Sequence, residues 1–283
     1  MKIAIIGVGE VGSCFAEALY GQGHELLLCD NKITRRIETV ASRMGLTPVE
    51  EVGAWVRDAD AVIVSTTGIE SKAVSMQCAE LLRPDAWLAD FTTAHPDDKR
   101  AASAHAHRCS VKYADVAIMG GISLTHAKTP LLVAGDGAAQ LSALLAPLSS
   151  AIRVIDRPAG DAVALKLLRS VFTKGMEALG VEMLLVAEQQ GVREQLYEVL
   201  SDIDDGPIRS FLDMVVRTHV IHAARRSHEV AQAAEQMASL GHPSRVLPGV
   251  RDRFEATVHA LGRRPIQQEV STVDDALDWL RSV

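Results

Sequence analysis

A chain of 283 residues has room for about two domains. Its 29 Lys and Arg against 36 Asp and Glu leave a net charge of −7, a balance from which no strongly basic patch emerges and which argues against nucleic acid as the main partner. With 48% hydrophobic and 23% charged residues, the composition excludes disorder as the dominant state.

The N-terminal run Ile3-Ala4-Ile5-Ile6 is broken by Gly7 and Gly9 and meets Glu10, too short for the core of a signal peptide. Lys2–Ile6 reads as a buried strand and Ser13–Tyr20 as a helix closed by Gly21-Gln22-Gly23. A second strand follows at Glu25–Cys29, with further apolar runs at Ala61–Val64, Ala86–Asp90, Val111–Ile118, Leu131–Ala134 and Arg153–Ile155. Strands alternating with helices predict a mostly parallel, doubly wound α/β sheet with right-handed crossovers.

After Pro158 the pattern changes. Asp161 to Gln190 holds no proline, and Leu168, Phe172, Gly175, Leu179, Met183 and Val186 recur at helical spacing. Helical patterns continue over about 193–204, 208–240, 244–261 and 272–282, separated by Gly206-Pro207, Gly241-His242-Pro243 and the run from Gly262 to Pro265. The expectation is an α/β domain over 1–157 and an all-α domain over 158–283, which carries substrate or dimer contacts. No run approaches 18 apolar residues, so no membrane span is expected. Cys14, Cys29, Cys78 and Cys109 form no CxxC pair. Free thiols in a reducing, cytoplasmic setting are the expectation.

Gly7-Val8-Gly9-Glu10-Val11-Gly12 follows a strand and opens a helix. The glycines suit a tight turn, close approach of a pyrophosphate, and helix-on-strand packing, with the anion on the helix N-terminus. Asp30 ends the second strand, with Asn31 beside it, where a carboxylate bonds ribose hydroxyls. That order of strand, glycines, helix, strand and acid predicts a Rossmann dinucleotide site. Asp30 favours NAD, because it repels a 2′-phosphate; Lys32, Arg35 and Arg36 offer positive charge to NADP or simply face solvent.

Four further segments carry a family resemblance. Val64-Ser65-Thr66-Thr67 follows a strand, and Asp90-Phe91-Thr92-Thr93-Ala94-His95-Pro96 ends another. Asp115-Val116-Ala117-Ile118-Met119-Gly120-Gly121 and Gly160-Asp161-Ala162-Val163-Ala164-Leu165-Lys166 come next. With the glycine loop, they resemble the β-hydroxyacid dehydrogenases related to 6-phosphogluconate dehydrogenase. More narrowly, Met119-Gly120, Pro130-Leu131-Leu132 and Thr173-Lys174-Gly175 resemble a bacterial branch whose helical C-terminal domain has no known substrate.

The resemblance implies that Ser65, Thr66, Thr67 and Thr92 line the nicotinamide side, and that Met119, Gly120 and Gly121 form a substrate loop. It implies Lys166 as the catalytic lysine, with Ser170 on the substrate side. Met119 replaces the family's serine and Ser170 its frequent asparagine, so the reaction type carries over and the usual substrate does not.

Hydride transfer from an alcohol carbon needs a base for the hydroxyl proton. Lys166 near a helix N-terminus suits that role, because the dipole there disfavours the ammonium form. Ser170, Thr173, Lys174 and Glu177 share its face, and Lys174 helps attract an anionic substrate. The structural alternative is a solvated stripe with one snorkelling lysine. His126 and the pair Arg225-Arg226 are either substrate contacts or surface residues. No metal is expected at His105, His107 and Cys109 or at His219, His222 and His228, because no thiol or carboxylate completes a usual site.

The sequence therefore predicts an NAD(P)-dependent oxidoreductase interconverting hydroxyl and carbonyl on a small anionic metabolite, as a homodimer. An imine reductase and a non-catalytic nucleotide-binding scaffold are the alternatives. Lys166 argues against the first, since relatives with that activity generally carry another residue there.

Overall fold

The computed structural model describes residues 1–148 and 151–283. The chain begins β1 (Lys2–Ile6), α1 (Glu10–Gly21), β2 (Glu25–Cys29), α2 (Arg35–Arg43), β3 (Ala61–Val64) and α3 (Ser71–Leu81). It continues β4 (Trp87–Asp90), α4 (Pro96–Arg108), β5 (Lys112–Ile118), α5 (Ile122–Thr125), β6 (Leu131–Ala134), α6 (Ala138–Leu145) and β7 (Ile152–Val154). Then come α7 (Asp161–Gln190), α8 (Arg193–Leu200), α9 (Ile208–Ser239), α10 (Leu247–Arg263) and α11 (Val273–Arg281).

Among the described residues the strands form one seven-stranded sheet in the order β2-β1-β3-β4-β5-β6-β7. The pairs from β2 across to β5 are parallel, whereas β6 runs antiparallel to β5. Only the short α5 and a 3-10 turn separate β5 from β6, so the chain returns without a full crossover helix. Successive β1 residues face opposite layers. Ile3 and Ile5 join Phe15 and Leu19 of α1, while Ala4 and Ile6 join Cys78 and Ala79 of α3. Burial on both faces explains why these strands read as unbroken apolar runs.

The order reverses between β1 and β3, which places a crevice at the carboxyl ends of these strands. There α1 starts at Glu10, three residues before the Ser13 that periodicity indicated, because extended Gly9 serves as its N-cap.

Two compact units divide the chain, Met1–Val171 and Phe172–Val283. The division falls within α7, beyond the Arg157-Pro158 boundary expected from sequence. The first turn of α7 is rooted on β5, where Asp115 Oδ2 accepts from the N–H groups of Gly160, Ala162 and Val163 at 2.9, 3.0 and 3.1 Å. In the second unit α9 packs on α10 and α11, with Val220, Val270 and Ala276 at the buried centre. Thr272 and Asp275 form a capping box at the start of α11. Among the described residues no helix is long and apolar enough to cross a membrane.

Candidate functional site

Each glycine of the first loop answers a different constraint. Gly7 lies at φ +89°, and a Cβ there would stand 2.6 Å from the Ser65 carbonyl carbon and Thr66 nitrogen. A Cβ on Gly12 would meet the Gly7 carbonyl oxygen at 2.0 Å, so α1 reaches the loop only with glycine there. At Gly9 a Cβ would meet nothing within 4 Å, and the first-turn N–H groups of α1 open onto that space. This is a cradle for an anion, with an open face where a ligand would lie.

Asp30 braces the cradle. Its Oδ2 accepts from Val8 N–H at 2.7 Å and its Oδ1 from Lys32 N–H at 3.1 Å. Beyond it a cleft of about 640 Å³ is lined by Gly7, Gly9, Asp30, Asn31, Ser65, Thr66 and Thr67, with Glu50, Glu51 and Glu70. Ser65 Oγ donates to the Gly7 carbonyl at 2.7 Å, Thr67 Oγ1 to Glu70 at 2.8 Å, and Asn31 Nδ2 to Glu70 at 3.3 Å. Four carboxylates around the end of β2 make this cleft acidic.

Ser65 and Thr66 also line a second, adjoining cleft of about 300 Å³, with Val11, Phe91, Thr92, Thr93, Ile118, Gly120, Ile122 and Lys166. Lys166 Nζ donates to Thr93 Oγ1 at 2.9 Å. It is the only charged side chain among the described residues lining this cleft. Burial lowers its pKa below the ordinary 10.5; the positive charge of Lys99 adds to the effect and Asp115 opposes it.

Beneath this cleft lies a buried ionic cluster that the sequence reading missed. Lys99 of α4, Asp90 at the end of β4 and Asp115 of β5 are fully buried. Lys99 Nζ donates to Asp115 Oδ1 and to the Asp90 carbonyl, each at 2.9 Å. Asp90 Oδ2 accepts from Ser71 Oγ and from the Tyr113 hydroxyl, both at 2.6 Å, and its Oδ1 from Thr92 N–H at 2.8 Å. Burial, then the Asp90 charge, push the Tyr113 phenol well above its usual pKa, so it serves as a donor. The signal was present: Lys99 shares the buried face of α4 with Ala102 and Ala106, a lysine at an apolar position.

Several predicted residues lie elsewhere. Val8 is a core residue whose N–H donates to Asp30 and whose carbonyl accepts from Ser13 Oγ, and Glu10 is exposed toward a different cleft shared with Arg36 and His126. Met119 packs against Ala117, Leu132, Ala134 and Ala162, while Gly121 caps α5. The Ser170 hydroxyl donates to the Lys166 carbonyl at 3.0 Å, one turn back along α7. Lys174, in the second unit, is exposed and paired with Glu177. Arg225 pairs with Glu229, and Arg226 donates to Thr218 Oγ1 at 2.9 Å. Among the described residues no set of three His, Cys, Asp or Glu side chains is placed to hold a metal.

Residues 187–257 match a domain family of unknown function (DUF1932). The chain is 26% identical over 235 residues to an uncharacterized 28.5 kDa protein of Methanothermus fervidus, covering 82% of this chain and 89% of that protein. It shares its fold with an imine reductase of Streptomyces aurantiacus, at 15% identity and TM-score 0.77 over 99% of both chains. It shares it also with a 3-hydroxyisobutyrate dehydrogenase of Mycobacterium tuberculosis, at 19% identity and TM-score 0.60 over 98% of both. Residues 2–154, more than half of the chain, match the family described as the NAD binding domain of 6-phosphogluconate dehydrogenase, and to that family this chain belongs.

Proposed function

We propose that this protein is an NAD-dependent oxidoreductase that interconverts a hydroxyl and a carbonyl on a small anionic metabolite, with Lys166 as proton-transfer residue. The observation that carries this reading is the Lys166 amine, held by Thr93 in a cleft that shares Ser65 and Thr66 with the nucleotide crevice.

The open face at Gly9 and the N-terminus of α1 fit a dinucleotide pyrophosphate. Asp30 would accept from the ribose hydroxyls, and the other carboxylates beside it disfavour a 2′-phosphate. Arg36, one of the three cations that offer charge to NADP, lines the separate cleft with Glu10 and Glu17. When bound, the nicotinamide ring accepts or returns the hydride.

The chain's own part is proton transfer. In the oxidative direction the neutral Lys166 amine takes the hydroxyl proton; in reduction the ammonium returns it to the nascent alkoxide. Thr93 fixes the position of Nζ, while Phe91, Ile118 and Ile122 exclude water from that end. A cleft of about 300 Å³ with no carboxylate among the described residues that line it suits a small anion. Where the oxidised product is a β-keto acid, loss of carbon dioxide can follow without further catalytic groups.

The test is a panel of hydroxy acids, semialdehydes and imines with NAD and NADP, read as absorbance at 340 nm. Turnover of a hydroxy acid or semialdehyde with NAD supports the reading. Turnover confined to imines, or none with a bound cofactor, overturns it.

A further inference from the structure

Lys99 holds a position that catalysis by Lys166 alone does not explain. A lysine with no exposed surface gives up the hydration of its charge, and only close counter-charges offset that loss. Here the partners belong to two different parts of the cleft. Asp90 closes the turn that presents Thr92 and Thr93: its Oδ1 accepts from Thr92 N–H, and Thr92 Oγ1 accepts from Ala94 N–H at 3.3 Å. Asp115 anchors the first turn of α7, its bond to Val163 N–H lying three residues before Lys166. One ammonium group joins both, at 2.9 Å from Asp115 Oδ1 and 3.5 Å from Asp90 Oδ1.

We propose that Lys99 is a positioning residue for Lys166: it clamps the turn bearing Thr93 to the root of α7, and it places a fixed positive charge behind the Lys166 amine. The inference rests on the reading of Lys166 as the proton-transfer residue, and it adds the means by which that amine is kept able to lose its proton. The charged or titratable groups around the pair are Asp90 of β4, Asp115 and Tyr113 of β5, and Lys99 of α4. Arg100, the next residue of α4, points outward and pairs with Asp97 and Asp161, so it leaves the buried balance to Lys99. Between the two charges acting on Lys166, Lys99 outweighs Asp115, so removing the ammonium raises the affinity of Lys166 for its proton. An apolar residue in its place would leave two buried carboxylates facing each other without a cation.

The experiment is trace acetylation of the full-length protein with acetic anhydride across neutral to alkaline pH, with the Lys166 peptide quantified by mass spectrometry. In the unaltered protein the midpoint of Lys166 reactivity should fall below 10.5. In Lys99→Gln, a neutral residue that can still donate hydrogen bonds, it should rise by about one pH unit. Lys99→Arg, which keeps the charge, should stay near the unaltered value. An unchanged midpoint in folded Lys99→Gln overturns the proposal, as does an equal rise in Lys99→Arg. Should Lys99→Gln fail to fold, an ordinary midpoint of 10.5 in the unaltered protein overturns it alone. No substrate or cofactor enters the measurement, so its failure is separable from failure of the substrate panel.

Discussion

The two compact units handle burial in opposite ways. The first unit buries both faces of its sheet and even takes charges inside, because Asp90, Lys99 and Asp115 satisfy one another there. In the second, the charges stay on the surface as pairs such as Arg225–Glu229 and Arg251–Glu255. Apolar side chains there stand in solvent, among them Met176 at 55%, Val181 at 57% and Leu185 at 55% exposed. A closed unit has the rigidity to hold reacting groups in place. A unit with unpartnered apolar side chains still has surface to cover. We propose on this contrast that chemistry belongs to the first unit and assembly to the second.

The sharpest way to break this division is Lys166→Ala. Turnover should fall by about 10²–10⁴, the usual range for removing a general acid–base group, while cofactor affinity stays nearly constant. Lys166→Arg should be almost as damaging, because a guanidinium keeps its proton. The pH profile gives the sign independently. Lys166 has a lowered pKa, so oxidation should rise with pH along a limb below 10.5, and reduction should fall along the same limb. A limb at the ordinary lysine value, or one that survives Lys166→Ala, moves the proton transfer to another group.

Next in size is Gly12→Ala. A methyl group 2.0 Å from the Gly7 oxygen and 2.7 Å from Ser65 Oγ meets backbone that cannot rotate away, so the loop must shift. Strain of about 1–3 kcal/mol in a close-packed site corresponds to roughly 5–150-fold in cofactor affinity. Calorimetric titration with NAD reads it. Asp30→Asn should act more mildly, improving NADP affinity by about tenfold as one negative charge leaves. Glu50, Glu51 and Glu70 still line the cleft, so NADP should not overtake NAD. If it does, Asp30 alone sets the preference.

These sites differ in how far they could be read from sequence. Gly7 to Gly12 and Asp30 are local: a strand, a turn and a helix fix their geometry within 30 residues, so spacing was informative. Lys166 depends on a root in which Asp115 meets Gly160 across 45 residues of chain, and spacing alone shows only one lysine on a polar stripe. Thr93, which receives its hydrogen bond, comes from 73 residues away. The Lys99 cluster was not read at all, since α4, β4 and β5 converge only in the fold. Met119 and Ser170 are named from their motif positions, and their side chains turn to a core and to a helix carbonyl. Motif position fixes the backbone, whereas packing decides where a side chain points.

The smallest expected change tests the open side of the comparison. Along α7, Leu168 and Val171 stand 67% and 74% exposed, and in the second unit Met176, Val181 and Leu185 continue the apolar run. A second copy of the chain is the partner of choice, because a two-fold contact lets one stripe cover another. A stable contact of this kind needs roughly 800 Å² from each partner, and a 30-residue helix of about 45 Å is long enough to supply much of it. Light scattering at micromolar concentration should therefore give twice the mass of a single chain. The variant Val181→Asp with Leu185→Asp should halve that mass, because each subunit would bury charges against the other without counter-charges. The first unit buries its own core, so NAD affinity should survive in the monomer. A monomer before any substitution removes the assembly role, whereas loss of NAD binding together with the dimer means the nucleotide unit also depends on its partner.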